Sequence, residues 1–157
     1  MALFEDQAED DLARAVTLVE QTIAALGIDP ETSRLPADAG ARFALRRGSA
    51  AVVIAVHPAV PGAEGGSIRV VAPVVRLPAE ERRPALYRRL LEANATEVMG
   101  AAFAVVDPDV VLVVERSLRD LDASEVDAMI KTVGRVADRY DDALAQEFGT
   151  ARSSDGP

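Results

Sequence analysis

The chain has 157 residues, a net charge of −9, one histidine and no cysteine. The missing cysteine excludes disulfides, thiolate metal sites and cysteine nucleophiles, and a lone histidine excludes a multi-histidine metal centre. The acidic balance disfavours nucleic-acid binding, because phosphates are neutralised by a basic surface. No run approaches about 18 consecutive apolar residues, so no membrane span is expected. The opening Met1-Ala2-Leu3-Phe4-Glu5-Asp6 lacks the basic segment and apolar run of a signal peptide, so the expected location is cytoplasmic.

Leu12, Val16, Val19, Ile23 and Leu26 recur at spacings of three and four, which predicts one apolar stripe on a first helix. Acidic residues Glu5, Asp6, Glu9, Asp10 and Asp11 are expected before it, where the helix dipole favours negative charge. Gly27 is placed to stop it in a left-handed conformation. Three strand-like runs follow. Arg42–Arg47 alternates apolar and polar side chains, and Gly48-Ser49 is a two-residue hairpin candidate. Ala50–Val56 is apolar throughout, which predicts a central strand covered on both faces. Pro58–Gly66 is a loop, and Pro73 within Ile68–Val75 predicts an edge strand or a bulge.

A middle helix is expected from about Ala79 to Asn94, with Pro84 in its first turn and a stripe of Leu86, Leu90 and Ala93 widened by Tyr87 and Leu91. Two short strands, 101–106 and 110–115, flank the turn Asp107-Pro108-Asp109. Asp122 and Glu125 form a D-x-x-E capping box. The last helix carries Val126, Met129, Ile130, Val133, Val136, Tyr140 and Leu144 at helical spacing. The expected organisation is an α+β fold of order α-β-β-β-α-β-β-α. A five-stranded antiparallel sheet would pack against helices in a single domain over residues 1–149, with 150–157 a disordered polar tail.

Leu90-Leu91-x-x-Asn94, the strand pair around Asp107-Pro108-Asp109, Leu118-x-x-Leu121-Asp122, and Ala137-Asp138-x-Tyr140 with Phe148-Gly149 resemble the YbjN-like family within the type III secretion chaperone-like fold. Element order carries the resemblance over most of the chain, and residue detail carries it from about Leu86 to Gly149. The resemblance implies a small, often dimeric cytoplasmic protein without a catalytic centre. Some relatives are described as sensory transduction regulators, and true secretion chaperones hold an unfolded segment of a partner. These are packing and turn residues, so they speak to fold more than to activity.

Chemistry-bearing residues are sparse. His57 precedes Pro58 at a strand end, with no nucleophile and orienting acid arranged around it, and is read as structural. Asp107 and Asp109 offer two carboxylates to a hard cation, which wants six or more oxygens, and are read instead as turn residues. Gly62, Gly65 and Gly66 have no following Lys-Ser/Thr pair and make no phosphate loop. Arg82, Arg83, Arg88 and Arg89 are candidates for an anion or acidic partner, against the simpler reading of a solvated face paired with Glu80, Glu81 and Glu92. Leu86, Tyr87, Leu90 and Leu91 are the protein-interface candidates, one side of the helix facing the sheet and the other a second subunit. The expectation is a non-enzymatic protein-binding module, chaperone-like or regulatory, acting as a homodimer and binding a further protein. It needs no cofactor, metal, membrane or nucleic acid. The alternative is a small-molecule or phosphate-sensing regulator using the Arg-rich helix and the Gly-rich loop.

Overall fold

The computed structural model describes residues 2–62 and 65–155. Its elements are α1 (Ala2–Ala25), α2 (Pro30–Ser33), β1 (Arg34–Leu35), β2 (Ala41–Arg47), β3 (Ala50–His57), β4 (Ser67–Arg76), α3 (Arg83–Thr96), β5 (Ala102–Val106), β6 (Asp109–Ser117) and α4 (Ala123–Phe148). Short 3₁₀ turns precede α3 at Glu80–Arg82 and follow α4 at Ser153–Asp155. The fold is α+β, with an antiparallel sheet ordered β1-β2-β3-β4-β6-β5. It has six strands where five were expected. The addition, β1, is a two-residue strand pairing Arg34 with Phe43 and Leu35 with Arg42, too short to leave a period-two signature. The chain divides into two compact units. One comprises Met1–Leu45, Val53–Val70 and Glu115–Ile130, the other Arg46–Val52, Val71–Val114 and Lys131–Pro157.

In the first unit, β2 buries Ala41, Phe43 and Leu45 and exposes Arg42, Ala44 and Arg46, as its alternation predicts. The same alternation runs along β3, where Val52, Ile54 and Val56 are buried but Val53 and Ala55 are only half-buried. The expectation of a strand covered on both faces is therefore corrected: an all-apolar run hid a two-faced strand. Helix α1 starts at Ala2, so Glu9, Asp10 and Asp11 lie inside it rather than before it; the side chains of Glu5 and Asp6 lie outside the described residues. Ala15, Val19 and Ile23 are buried while Leu12, Val16 and Leu26 are half-buried. Gly27 has φ +79° and ends the helix as expected. The capping box of α4 forms reciprocally, Glu125 N donating to Asp122 Oδ1 (2.9 Å) and Asp122 N to Glu125 Oε2 (3.0 Å). The Ser124 hydroxyl, then the Glu125 N–H, hold the Asp122 carboxyl below its ordinary range.

In the second unit, α4 buries Val133, Ala137, Tyr140, Leu144 and Phe148. Ala137 replaces the expected Val136 on the inward stripe, since steps of four and three from Val133 reach 137 and 140. The Gly48-Ser49 turn is anchored on this helix. Ser49 N and Oγ donate to Asp138 Oδ1 (3.2 and 2.5 Å), and the hydroxyl lies 3.1 Å from Asp141 Oδ2. β4 is flanked by β3 and β6, so of the edge or bulge expected at Pro73 the edge is excluded; the alternation breaks just after it, where Val74 and Val75 are both buried. The segment expected as a free polar tail packs back through Asp155. Arg76 N donates to Ala151 O (2.9 Å), Thr150 Oγ1 to Arg76 O (2.8 Å) and Ser153 Oγ to Asp109 Oδ1 (2.7 Å). These bonds satisfy strand-end groups that polar composition alone does not reveal; residues 156 and 157 lie outside the described residues.

Leu86 is 0% exposed and Leu91 is 68% exposed on the same helix, α3. Leu86→Ala is expected to lower unfolding free energy by about 2–5 kcal/mol, while Leu91→Ala should stay within about 0.5 kcal/mol. Urea denaturation of the two variants measures the contrast.

Candidate functional site

Helix α3 starts with Pro84 in its first turn, where the missing N–H costs no intrahelical bond. The helical period turns Leu86, Leu90 and Ala93 inward, all buried. Of the four interface candidates, Leu86 and Leu90 thus belong to the core, because their stripe continues through Ala93. Tyr87, 36% exposed, and Leu91 face outward. Three more large apolar side chains are exposed nearby in the same unit: Met99, 88% exposed in the connection to β5, and Val105 and Val106 on β5. Exposed single hydrophobics are ordinary. Five lie along one helix, its exit turn and the strand it contacts.

β5 is the last strand of the sheet. Its ladder to β6 pairs Phe103 with Leu112 and Val105 with Val110. The carboxamide of Asn94, at the end of α3, seals part of its outer edge: Phe103 N donates to Asn94 Oδ1 (2.7 Å) and Asn94 Nδ2 donates to Phe103 O (3.2 Å). Both Phe103 backbone groups therefore point away from β6. Residues two apart in an antiparallel strand share that direction, so the N–H and C=O of Val105 also face outward. Asn94 closes the edge next to the helix, and the open part coincides with the exposed Val105 and Val106.

Tyr140 is the second hub. Its hydroxyl donates to Glu97 Oε2 (2.5 Å), its ring meets Phe103 edge-on at 5.1 Å, and Arg89 and Arg139 lie over it at 5.9 and 5.6 Å. Burial, then the Glu97 carboxylate it faces, push the phenol above its ordinary value. The Tyr140 hydroxyl, then Arg89, hold the Glu97 carboxyl below its own. Sequence periodicity placed Tyr140 on the core stripe but carried no signal for Glu97, forty-three residues earlier.

The four arginines suggested for anions or an acidic partner all have acceptors in their own unit. Arg82 Nη1 donates to Phe148 O (3.1 Å) at the end of α4, and Arg83 Nε to Pro78 O (3.0 Å). Arg88 pairs with Glu92 (2.8 Å), as the solvated-face reading predicts, and Arg89 pairs with Glu97 (2.8 Å). Arg82 thus serves as a cap on the carbonyl end of a helix. Asp107 and Pro108 make the β5–β6 turn, and Asp109 accepts from Ser153. His57 is exposed at the end of β3 in the first unit. Among the described residues no group of three or more His, Cys, Asp or Glu side chains could hold a metal ion, and no helix is long and apolar enough to cross a membrane.

Residues 15–146 match the model of the YbjN family, described as "Putative bacterial sensory transduction regulator". Two solved structures resemble the fold. A chain of the ExsC-ExsE complex is 14% identical with a TM-score of 0.55, over 82% of this chain and 92% of that one. A chain of the HopA1-SchA chaperone-effector complex is 9% identical with a TM-score of 0.59, over 85% of this chain and 97% of that one. At these identities the likeness is one of fold. No curated protein matches the chain.

Two outcomes follow from this geometry. Asn94→Ala leaves the Phe103 N–H and C=O without their side-chain partners and should cost about 1–3 kcal/mol in a urea melt. The Tyr140–Glu97 pair gives stability a dependence on pH at both ends. The depressed Glu97 contribution is present above the unfolded carboxylate value and lost as pH falls through the folded one. The raised Tyr140 favours the neutral phenol in the fold, so its contribution is present below the unfolded phenol value and lost as pH rises through the folded one. Unfolding free energies across a pH series should therefore fall less steeply at both extremes in Tyr140→Phe than in the unaltered chain.

Proposed function

The chain belongs to the YbjN family, and from that premise we propose that it is a non-enzymatic protein-binding module of the cytoplasm, chaperone-like or regulatory, that acts as a homodimer. The observation that carries the reading is the apolar strip of Tyr87, Leu91, Met99, Val105 and Val106, lying beside an edge strand whose outward backbone groups are sealed at Phe103 and turned outward at Val105. Apolar side chains supply burial and the strand edge supplies directional hydrogen bonds, the two ingredients of strand- and helix-mediated protein recognition. The complexes named above join chains of this fold to another protein, which supports a partner-binding role. The family description supports a regulatory setting.

The strip is self-complementary in chemistry, being apolar throughout with Arg88 and Glu92 paired on the same helix. It therefore suits a second copy related by a two-fold axis, in which each patch meets its own equivalent. Exposed Leu91 and Met99 are the positions to alter, since neither contributes to the buried core. Leu91→Asp combined with Met99→Asp is expected to convert a dimeric mass in light scattering to a monomeric one, with unchanged circular dichroism and melting cooperativity. A monomeric mass for the unaltered chain, or a dimer indifferent to both substitutions, would remove the homodimer from the reading.

A further inference from the structure

The first unit holds a cavity that neither the family match nor the apolar strip accounts for. It is a solvent-open groove of about 920 Å³, a volume near the upper end of the roughly 300–1,000 Å³ that small-molecule sites occupy. Its floor follows from strand alternation. β2, β3, β4 and β6 are consecutive neighbours in the sheet, and the face opposite their buried side chains presents Arg42, His57, Ser67 with Arg69, and Glu115. Beside it lie Pro36, Pro58 and Val60, from the segments just before β2 and just after β3.

Two glycines hold those loops against the end of β3. A Cβ on Gly40, where φ is +73°, would lie 1.9 Å from Val56 O; one on Gly66 would lie 2.3 Å from His57 O. No side chain fits at either place, so the cavity mouth depends on their absence.

The charges inside are unevenly committed. Glu115 Oε1 accepts from Ser67 Oγ (3.1 Å), and its Oε2 is 3.9 Å from Arg69 Nε, beyond hydrogen-bond reach. Arg69 Nε is buried and, among the described residues, has no hydrogen-bond acceptor. Only that atom is buried, the side chain being 40% exposed, so a ligand seated in the groove can reach the guanidinium and supply the missing acceptor. Arg42 and His57 likewise have no hydrogen-bond or ion-pair partner among the described residues. Three nitrogen donors thus converge on one cavity in a chain of net charge −9. The other carboxylate of the lining, Asp38, can accept from a hydroxyl or amino group elsewhere on a ligand.

We propose that this cavity binds a small organic anion through a phosphate or carboxylate head, with Arg69, Arg42 and His57 as its donors and Pro36, Pro58 and Val60 against its body. Planar guanidinium forks match both oxyanions. The site gives ligand sensing a location in the first unit, on residues other than those of the Arg-rich helix, whose guanidinium groups already have acceptors. It stands independently of the homodimer, which rests on different residues.

The single histidine makes the test direct, because this chain gives one imidazole Cε1–H resonance. Inorganic phosphate, a hexose phosphate and succinate are each titrated at constant ionic strength set with chloride, following that resonance and the melting temperature. At least one titrant should give a saturable displacement of the His57 signal and a higher melting temperature, as a ligand of the folded state does. Saturation by the phosphates alone assigns a phosphate head, and by succinate alone a carboxylate head. Arg42→Gln, on the exposed face of β2, should weaken binding by about tenfold or more, the loss of one charge-assisted contact. Arg69→Gln should do the same if it stays folded, and Arg88→Gln on α3 should change nothing. No saturable displacement with any titrant, a displacement that chloride reproduces, or equal affinity in Arg42→Gln would overturn the proposal.

Discussion

Along β2, β3 and β4 as far as Val74 every second side chain is buried, and the intervening ones stay half-buried or exposed. This period of two, imposed by the pleat of the strand, is the constraint on which the rest depends. It gives Phe43, Ile54, Ile68 and Val70 to the core and hands the opposite face a second vocabulary of Arg42, His57, Ser67 and Arg69. A one-residue slip would exchange the two sets, burying Arg69 where Ile68 now sits in β4 and Arg42 where Phe43 sits in β2. Core and cavity are therefore two products of one register, which the glycines at 40 and 66 help to hold by letting loops approach the end of β3.

The second unit applies the helical period to the same end. α3 buries one stripe and leaves Tyr87 and Leu91 outside. Asn94, on the last turn of that helix, reaches β5 and occupies the hydrogen-bonding groups of Phe103. Edge strands invite indiscriminate pairing, and proteins commonly blunt them with charge, proline or a covering element. Here a single carboxamide closes one position and leaves the next outward-facing residue, Val105, among exposed apolar side chains. A surface built this way limits where a second chain can pair, which suits specific recognition better than an edge open along its length.

Much of this was legible in the residues. The capping box at Asp122 and Glu125, the stop at Gly27, the Gly48-Ser49 hairpin and, apart from Val136, the α4 stripe are local patterns, and each formed where the spacing placed it. Less legible was anything decided by neighbours distant in sequence. β3 read as doubly covered because valine, isoleucine and alanine occupy both faces, and only the surrounding structure distinguishes them. Pro73 suggested an edge or a bulge, and the edge is excluded because strand order is set by pairing of the whole sheet. Asn94 stood out as part of a motif, but its bond to Phe103 crosses a turn that periodicity does not describe. The cavity was the least visible: its donors come from three strands, and His57 alone among them drew attention. The four arginines of the middle helix stood out by their density, and the structure engages them within their own unit.

The central claim is that the α3–β5 strip is covered by another copy of the chain. Hydrogen–deuterium exchange across a wide range of protein concentrations tests it most directly, because association protects only what it covers. The account predicts that peptides spanning residues 87–99 and 102–106 become more protected as concentration rises, while α1 and β2 exchange at constant rates. Exchange independent of concentration throughout, or protection that grows elsewhere and leaves β5 unchanged, would contradict it.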